Sequence, residues 1–129
     1  MRWAAVIIWV SVIFILSTEN FSSASTRSLL SDSTLDYSVR KLAHWTEYFI
    51  LAALLMRALK TEAGAQTKRD IIWSVSLAVI YAISDEWHQS FVSSRNAKFT
   101  DVVIDTCGAF CGAWAWTVYL RNIHLFSKC

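Results

Sequence analysis

Proline is absent from this chain of 129 residues, so none of its apolar stretches contains the ring that breaks or kinks a helix. Cysteine is scarce. Cys107, Cys111 and Cys129 make an odd number with no CxxC pair, and no disulfide framework is implied. The net charge is only +2, and no basic stripe alternates with exposed aromatics, which leaves a nucleic-acid partner without support. There is no internal repeat and no low-complexity tract, so solenoids and biased linkers are set aside as well.

What the chain has instead is apolar residues, 55% of the total, and seven tryptophans. Four apolar stretches stand out: Trp3 to Ser17, Leu42 to Leu59, Ile71 to Phe91 and Val102 to Leu120. A bilayer core of roughly 30 Å asks for about 20 apolar residues per helix; the third and fourth stretches fit and the first two fall slightly short. A chain this small can hardly bury so much apolar surface in a water-facing core, so lipid must cover the rest. The expectation is one all-α domain, residues 1–129, built as an integral membrane bundle of four transmembrane helices at about 3–18, 41–59, 71–91 and 101–120, with an outer loop at 19–40.

The N-terminal "MRWAAVIIWVSVIFILSTENFSSAS" also has the charge-then-apolar pattern of a secretory signal, with a cleavage point after Ala24. An uncleaved first span is the preferred reading, because three further spans follow. With the N-terminus inside, the inner segments carry seven cations and the outer ones five, which favours both termini in the cytoplasm. The loop at 19–40 is rich in Ser, Thr and Asp, with room for an amphipathic turn around Leu29, Leu30 and Leu35.

The polar residues are not spread evenly over this frame. The segment "AISDEWHQSFVSSRNAKFTDVVID", residues 82–105, sets Asp85, Glu86, His88, Gln89, Arg95, Asp101 and Asp105 between two apolar runs. Residues three and four apart share a helix face, which groups Lys41, His44, Glu47 and Tyr48 on the second helix, Asp85, His88 and Gln89 on the third, and Asp101, Asp105, Gly108 and Gly112 on the fourth. Ionisable residues inside a span normally face the bundle interior or a watery cavity. The three stripes therefore predict a polar pocket opening outward, with "VSSRNAKF" as its lip and Arg95 folding over the carboxylates.

Several chemistries suit such a pocket. A purely structural network is the plainest, but Glu47, Asp85, Glu86, Asp101 and Asp105 outnumber the nearby cations, and excess acid in a low dielectric must be protonated, be solvated or bind a cation. A divalent metal on His44, Glu47, Asp85 and Glu86 is one option, although HExxH, DxD and ExxH are all missing. General acid–base catalysis by the same four residues is a second, without an obvious nucleophile. Recognition of a phosphate or carboxylate by Arg95, Lys98 and Lys41 is a third. Gly108 and Gly112, four apart, read as close helix packing within the chain or in a homodimer through the fourth helix. Cys107 and Cys111 read as small buried packing residues, and Trp45, Tyr48, Trp114, Trp116 and Tyr119 as interfacial belts, with Tyr48 alternatively turning its hydroxyl into the pocket.

In this order, "RKLAHWTEYFILAALL", "SDEWHQSFVSSR" and "DVVIDTCGAFCG" resemble the VanZ-like family of small bacterial membrane proteins, named for a protein associated with teicoplanin resistance. The resemblance runs from about Arg40 to Gly112. Its characteristic positions are Lys41, His44, Glu47, Tyr48, Asp85, Glu86, Gln89, Arg95, Asp101, Asp105, Gly108 and Gly112. Ser93-Ser94 stands where many members have Pro-Gly, and Asp105 where Asn is frequent. The resemblance implies a multi-pass protein of the bacterial cytoplasmic membrane that recognises a lipid-linked or peptidoglycan-related envelope component and lowers glycopeptide susceptibility. The alternatives are a membrane-embedded, metal-dependent hydrolase or transferase on a lipid-linked phosphate or acyl substrate, and a structural partner subunit.

Overall fold

The computed structural model describes residues 2–17, 33–59, 68–91 and 99–126. These form four helices: α1 (Arg2–Ser17), α2 (Ser33–Leu59), α3 (Lys68–Ser90) and α4 (Phe99–Phe126). With no proline to interrupt them, α2 and α4 run for 27 and 28 residues, about 40 Å each at the α-helical rise. Asp70 and Asp101 sit in the first turns of α3 and α4, and Arg57 in the last turn of α2, where each side-chain charge opposes the helix dipole. The α3 helix closes with a 3.1 Å bond from Phe91 N–H to the His88 carbonyl, which satisfies one of its last acceptors. Two boundaries differ from expectation. The second helix begins at Ser33, inside the stretch anticipated as loop, and the fourth continues past Leu120 to Phe126.

The architecture is an all-α four-helix bundle. The α2–α4 interface is the most extensive, α3 packs on both of these, and α1 lies on α2 with a lighter touch on α3. Among the described residues α1 and α4 do not meet. The reason α2 and α4 approach so closely is the glycine pair. A Cβ at Gly108 would collide with the Trp45 carbonyl oxygen and stand 3.1 Å from its carbon; one at Gly112 would meet the Phe49 carbonyl in the same way. The small-residue face of α4 is thus occupied by α2 within the chain. Cys107 is exposed and Cys111 only partly buried, which corrects the expectation that both are interior.

The core between the helices is narrow, made of Tyr48, Leu51, Ala52, Leu55 and Met56 of α2 against Ala78 and Ala82 of α3 and Ala109 and Ala113 of α4. Beside these apolar residues the interior also holds Ser74, Asp85, Glu86, Gln89 and Asp105. Many of the large apolar side chains are outside: Ile7, Ile80, Trp87, Phe110 and Trp114 are each at least 60% exposed. This reverses the usual partition of a globule in water.

Among the described residues, no helix is long and apolar enough to cross a membrane. The expectation of a four-helix bundle is met in helix number and packing, and the apolar length expected of the third and fourth spans is not. The cause differs between the helices: α1 is apolar but has 16 residues, whereas the three longer helices carry charged residues within their turns.

Candidate functional site

Polar groups from all four helices meet at one end of the bundle. On α2, Lys41, His44, Glu47 and Tyr48 share a face because they stand three and four residues apart. The first two turns of α4 oppose them. Lys41 Nζ pairs with Asp101 Oδ1, both side chains mostly buried. One turn deeper, His44 Nδ1 lies 3.6 Å from Glu47 Oε2 on its own helix and 3.9 Å from Asp105 Oδ1 on α4. Asp105 is 1% exposed, and its Oδ1 makes no hydrogen bond among the described residues. Glu86, Asp85, Glu47 and Lys41 all lie within electrostatic reach of it.

The last turns of α3 supply the third wall. Asp85, Glu86 and Gln89 are buried. The Gln89 amide nitrogen donates both to Asp85 Oδ2 at 2.9 Å and to Ser17 Oγ at 2.6 Å, so one side chain orients a carboxylate and ties down the C-terminal end of α1. Tyr81, one turn before Asp85, donates from its hydroxyl to the Val10 carbonyl at 2.9 Å. Its ring centroid is 6.2 Å from that of Tyr48. Tyr48 is fully buried, which corrects the interfacial reading and agrees with the alternative in which it turns inward. Its hydroxyl lies within electrostatic reach of Asp85, Asp105 and Glu47 and makes no hydrogen bond among the described residues.

His88 does not join this group. Half-buried, it lies against Phe14 of α1 at 4.9 Å between ring centroids, and Glu86 takes the interior place that the face analysis gave to His88. Arg95 and Lys98, expected at the lip, lie outside the described residues. Ser17, Trp9 and Tyr81 were not singled out by sequence. Tyr81 carried a usable signal, its i, i+4 relation to Asp85, whereas Ser17 and Trp9 depend on how α1 docks and carried none.

A groove of about 410 Å³ runs between α1 and α2, walled by Trp9, Val39, Leu42, Ala43 and Ile50, and meets the polar cluster at Glu47. Two of its polar side chains are engaged by backbone carbonyls. The Trp9 indole donates to the Glu47 carbonyl at 3.0 Å, and the Thr46 hydroxyl to the Leu42 carbonyl at 2.7 Å. The groove is therefore apolar, and it lies between α1 and α2, apart from the polar pocket expected among α2, α3 and α4. Among the described residues no three His, Cys, Asp or Glu side chains are arranged to hold a metal ion.

Carboxylates, an imidazole and an amide inside, with large apolar side chains outside, define a helical bundle whose polar site is internal. Residues 2–121 match the model of the VanZ/LLP1 family, and the chain belongs to that family. No curated protein and no solved structure matches it.

Proposed function

We propose that this protein is a multi-pass protein of the bacterial cytoplasmic membrane that recognises a lipid-linked or peptidoglycan-related envelope component through the acidic site at the α2–α3–α4 junction, and thereby lowers glycopeptide susceptibility. The observation that carries the reading is the reversed partition: Asp85, Glu86, Gln89 and Asp105 inside, Ile80, Trp87, Phe110 and Trp114 outside. In water an apolar surface of this kind would drive association. Against lipid it is satisfied, and the interior acids mark the functional region by the rule for ionisable groups in a bilayer. Membership of the VanZ/LLP1 family supports the same direction.

In this reading both termini face the cytoplasm, as the excess of cations on the inner segments favours, and the site lies toward the outer face. The carboxylates would receive amines or sugar hydroxyls of the ligand, and Lys41 and Arg95 its anionic groups. The test is teicoplanin susceptibility of a bacterial strain carrying the wild-type chain, His44→Ala or Glu86→Gln at matched membrane levels. Wild type should lower susceptibility and both variants should lose most of that effect. Equal protection by all three would remove the site from the function.

A second reading is favoured by one observation, the imidazole of His44 beside the Glu47 carboxylate, the pairing used in general acid–base catalysis. As a hydrolase or transferase on a lipid-linked phosphate or acyl substrate, the protein would lose all activity with His44→Ala, whereas a binder would lose it in graded steps.

A further inference from the structure

The position of one nitrogen atom bears on more than recognition. His44 Nδ1 stands almost equidistant from two carboxylates, 3.6 Å from Glu47 Oε2 and 3.9 Å from Asp105 Oδ1. The two acids have different surroundings: Glu47 borders the groove between α1 and α2, while Asp105 is closed off in the interior at 1% exposure. We infer that His44 passes protons between them, so that the enclosed acids of the bundle exchange protons with the groove along the path Asp105, His44, Glu47.

The chemistry balances with no other participant. The Asp105 carboxyl gives its proton to Nδ1, leaving a carboxylate and an imidazolium. The imidazolium gives the proton to Glu47 and returns to neutral imidazole, and Glu47 releases it at the groove. Loading runs in reverse. Both separations exceed a hydrogen bond, so a small swing of the ring makes one bond at a time, which is how one nitrogen can serve two partners in turn. Imidazole is suited to the middle position because its unperturbed titration lies near neutrality.

The groups facing this path come from three helices. Lys41 of α2 has its ammonium on Asp101 of α4, and Asp85 and Glu86 of α3 are within electrostatic reach of Asp105. Tyr48 and Tyr81 lie within electrostatic reach of Asp85 and Glu47, the Tyr81 hydroxyl being engaged by the Val10 carbonyl. A proton is the smallest counter-ion such an acid-rich group can hold. The relay does not depend on which envelope component the site recognises, so it can stand or fall separately from that reading.

Rapid-scan infrared spectroscopy on the full chain in nanodiscs tests it. After an upward pH jump, wild type should show a protonated-carboxyl carbonyl band that decays, and Asp105→Asn should remove the band. His44→Phe, which fills similar space without a titrating nitrogen, should keep the band and slow its decay at least tenfold, as should Glu47→Gln. A wild type without a pH-responsive carboxyl band, or His44→Phe decaying at the wild-type rate, overturns the relay. Should His44→Phe fail to fold, NMR of ¹⁵N-histidine-labelled wild type replaces it. Nδ1 of His44 must change protonation in step with the band, and a His44 fixed in one state while the band moves overturns the relay.

Discussion

The backbone of α4 at Gly112 lies directly against the backbone of α2 at Phe49, so near that a Cβ on the glycine would stand 2.8 Å from the Phe49 carbonyl carbon. Neither side can give way cheaply, because both are helix backbone. Gly112→Ala and Gly108→Ala should each push α2 and α4 apart and destabilise the fold by about 1–3 kcal/mol, the usual penalty of overpacking. Cys107→Ala, on the exposed side of the same helix, should change stability by less than about 0.5 kcal/mol. Denaturant unfolding in detergent followed by tryptophan fluorescence measures all three.

Two neighbouring tyrosines should respond in opposite ways to the same substitution. Tyr81→Phe removes a 2.9 Å bond to the Val10 carbonyl and should lower stability by about 1 kcal/mol, loosening α1. Tyr48→Phe removes a buried hydroxyl that has no hydrogen bond among the described residues, and should leave stability unchanged or raise it. Thermal melts of the two variants side by side decide the point.

Lys41 and Asp101 join the α2 and α4 walls of the site, with 16% and 15% of their side chains exposed. At this burial each partner protects the other from an unpaired charge. A double-mutant cycle of Lys41→Met and Asp101→Asn should give a coupling energy of about 1 kcal/mol or more, above the range of fully exposed pairs.

The outward apolar residues give a test of the lipid-facing reading. Ile80 is 63% exposed on α3. Placed in the middle of a bilayer, Ile80→Lys should oppose insertion by about 2.5–3.5 kcal/mol, with loss from the membrane fraction and degradation. If that face met water, the lysine would be tolerated at wild-type levels. Quantitative immunoblots of membrane and soluble fractions distinguish these outcomes.

Much of the site was legible because helical spacing alone fixes which residues share a face. Lys41, His44, Glu47 and Tyr48 on α2 and Asp101, Asp105, Gly108 and Gly112 on α4 follow from intervals of three and four, and the two stripes do face one another. On α3 the same reasoning had to fail. Glu86 and His88 lie about 80° to either side of the line through Asp85 and Gln89 at 3.6 residues per turn, and spacing cannot choose between them. The choice is made by Phe14, which covers His88, and the docking of α1 is a long-range fact that no local pattern encodes. The start of α2 escaped the apolar pattern for a related reason: the apolar run begins at Leu42, whereas the helix continues upstream through polar residues to Ser33.

The most direct measurement is binding of a lipid-linked peptidoglycan precursor to the purified chain in nanodiscs, compared between wild type, Asp85→Asn and Glu86→Gln, each first shown to be folded. Recognition through the interior acids predicts saturable binding by wild type, weakened at least tenfold in both variants. Saturable binding of equal strength by all three, or none by wild type, would contradict it.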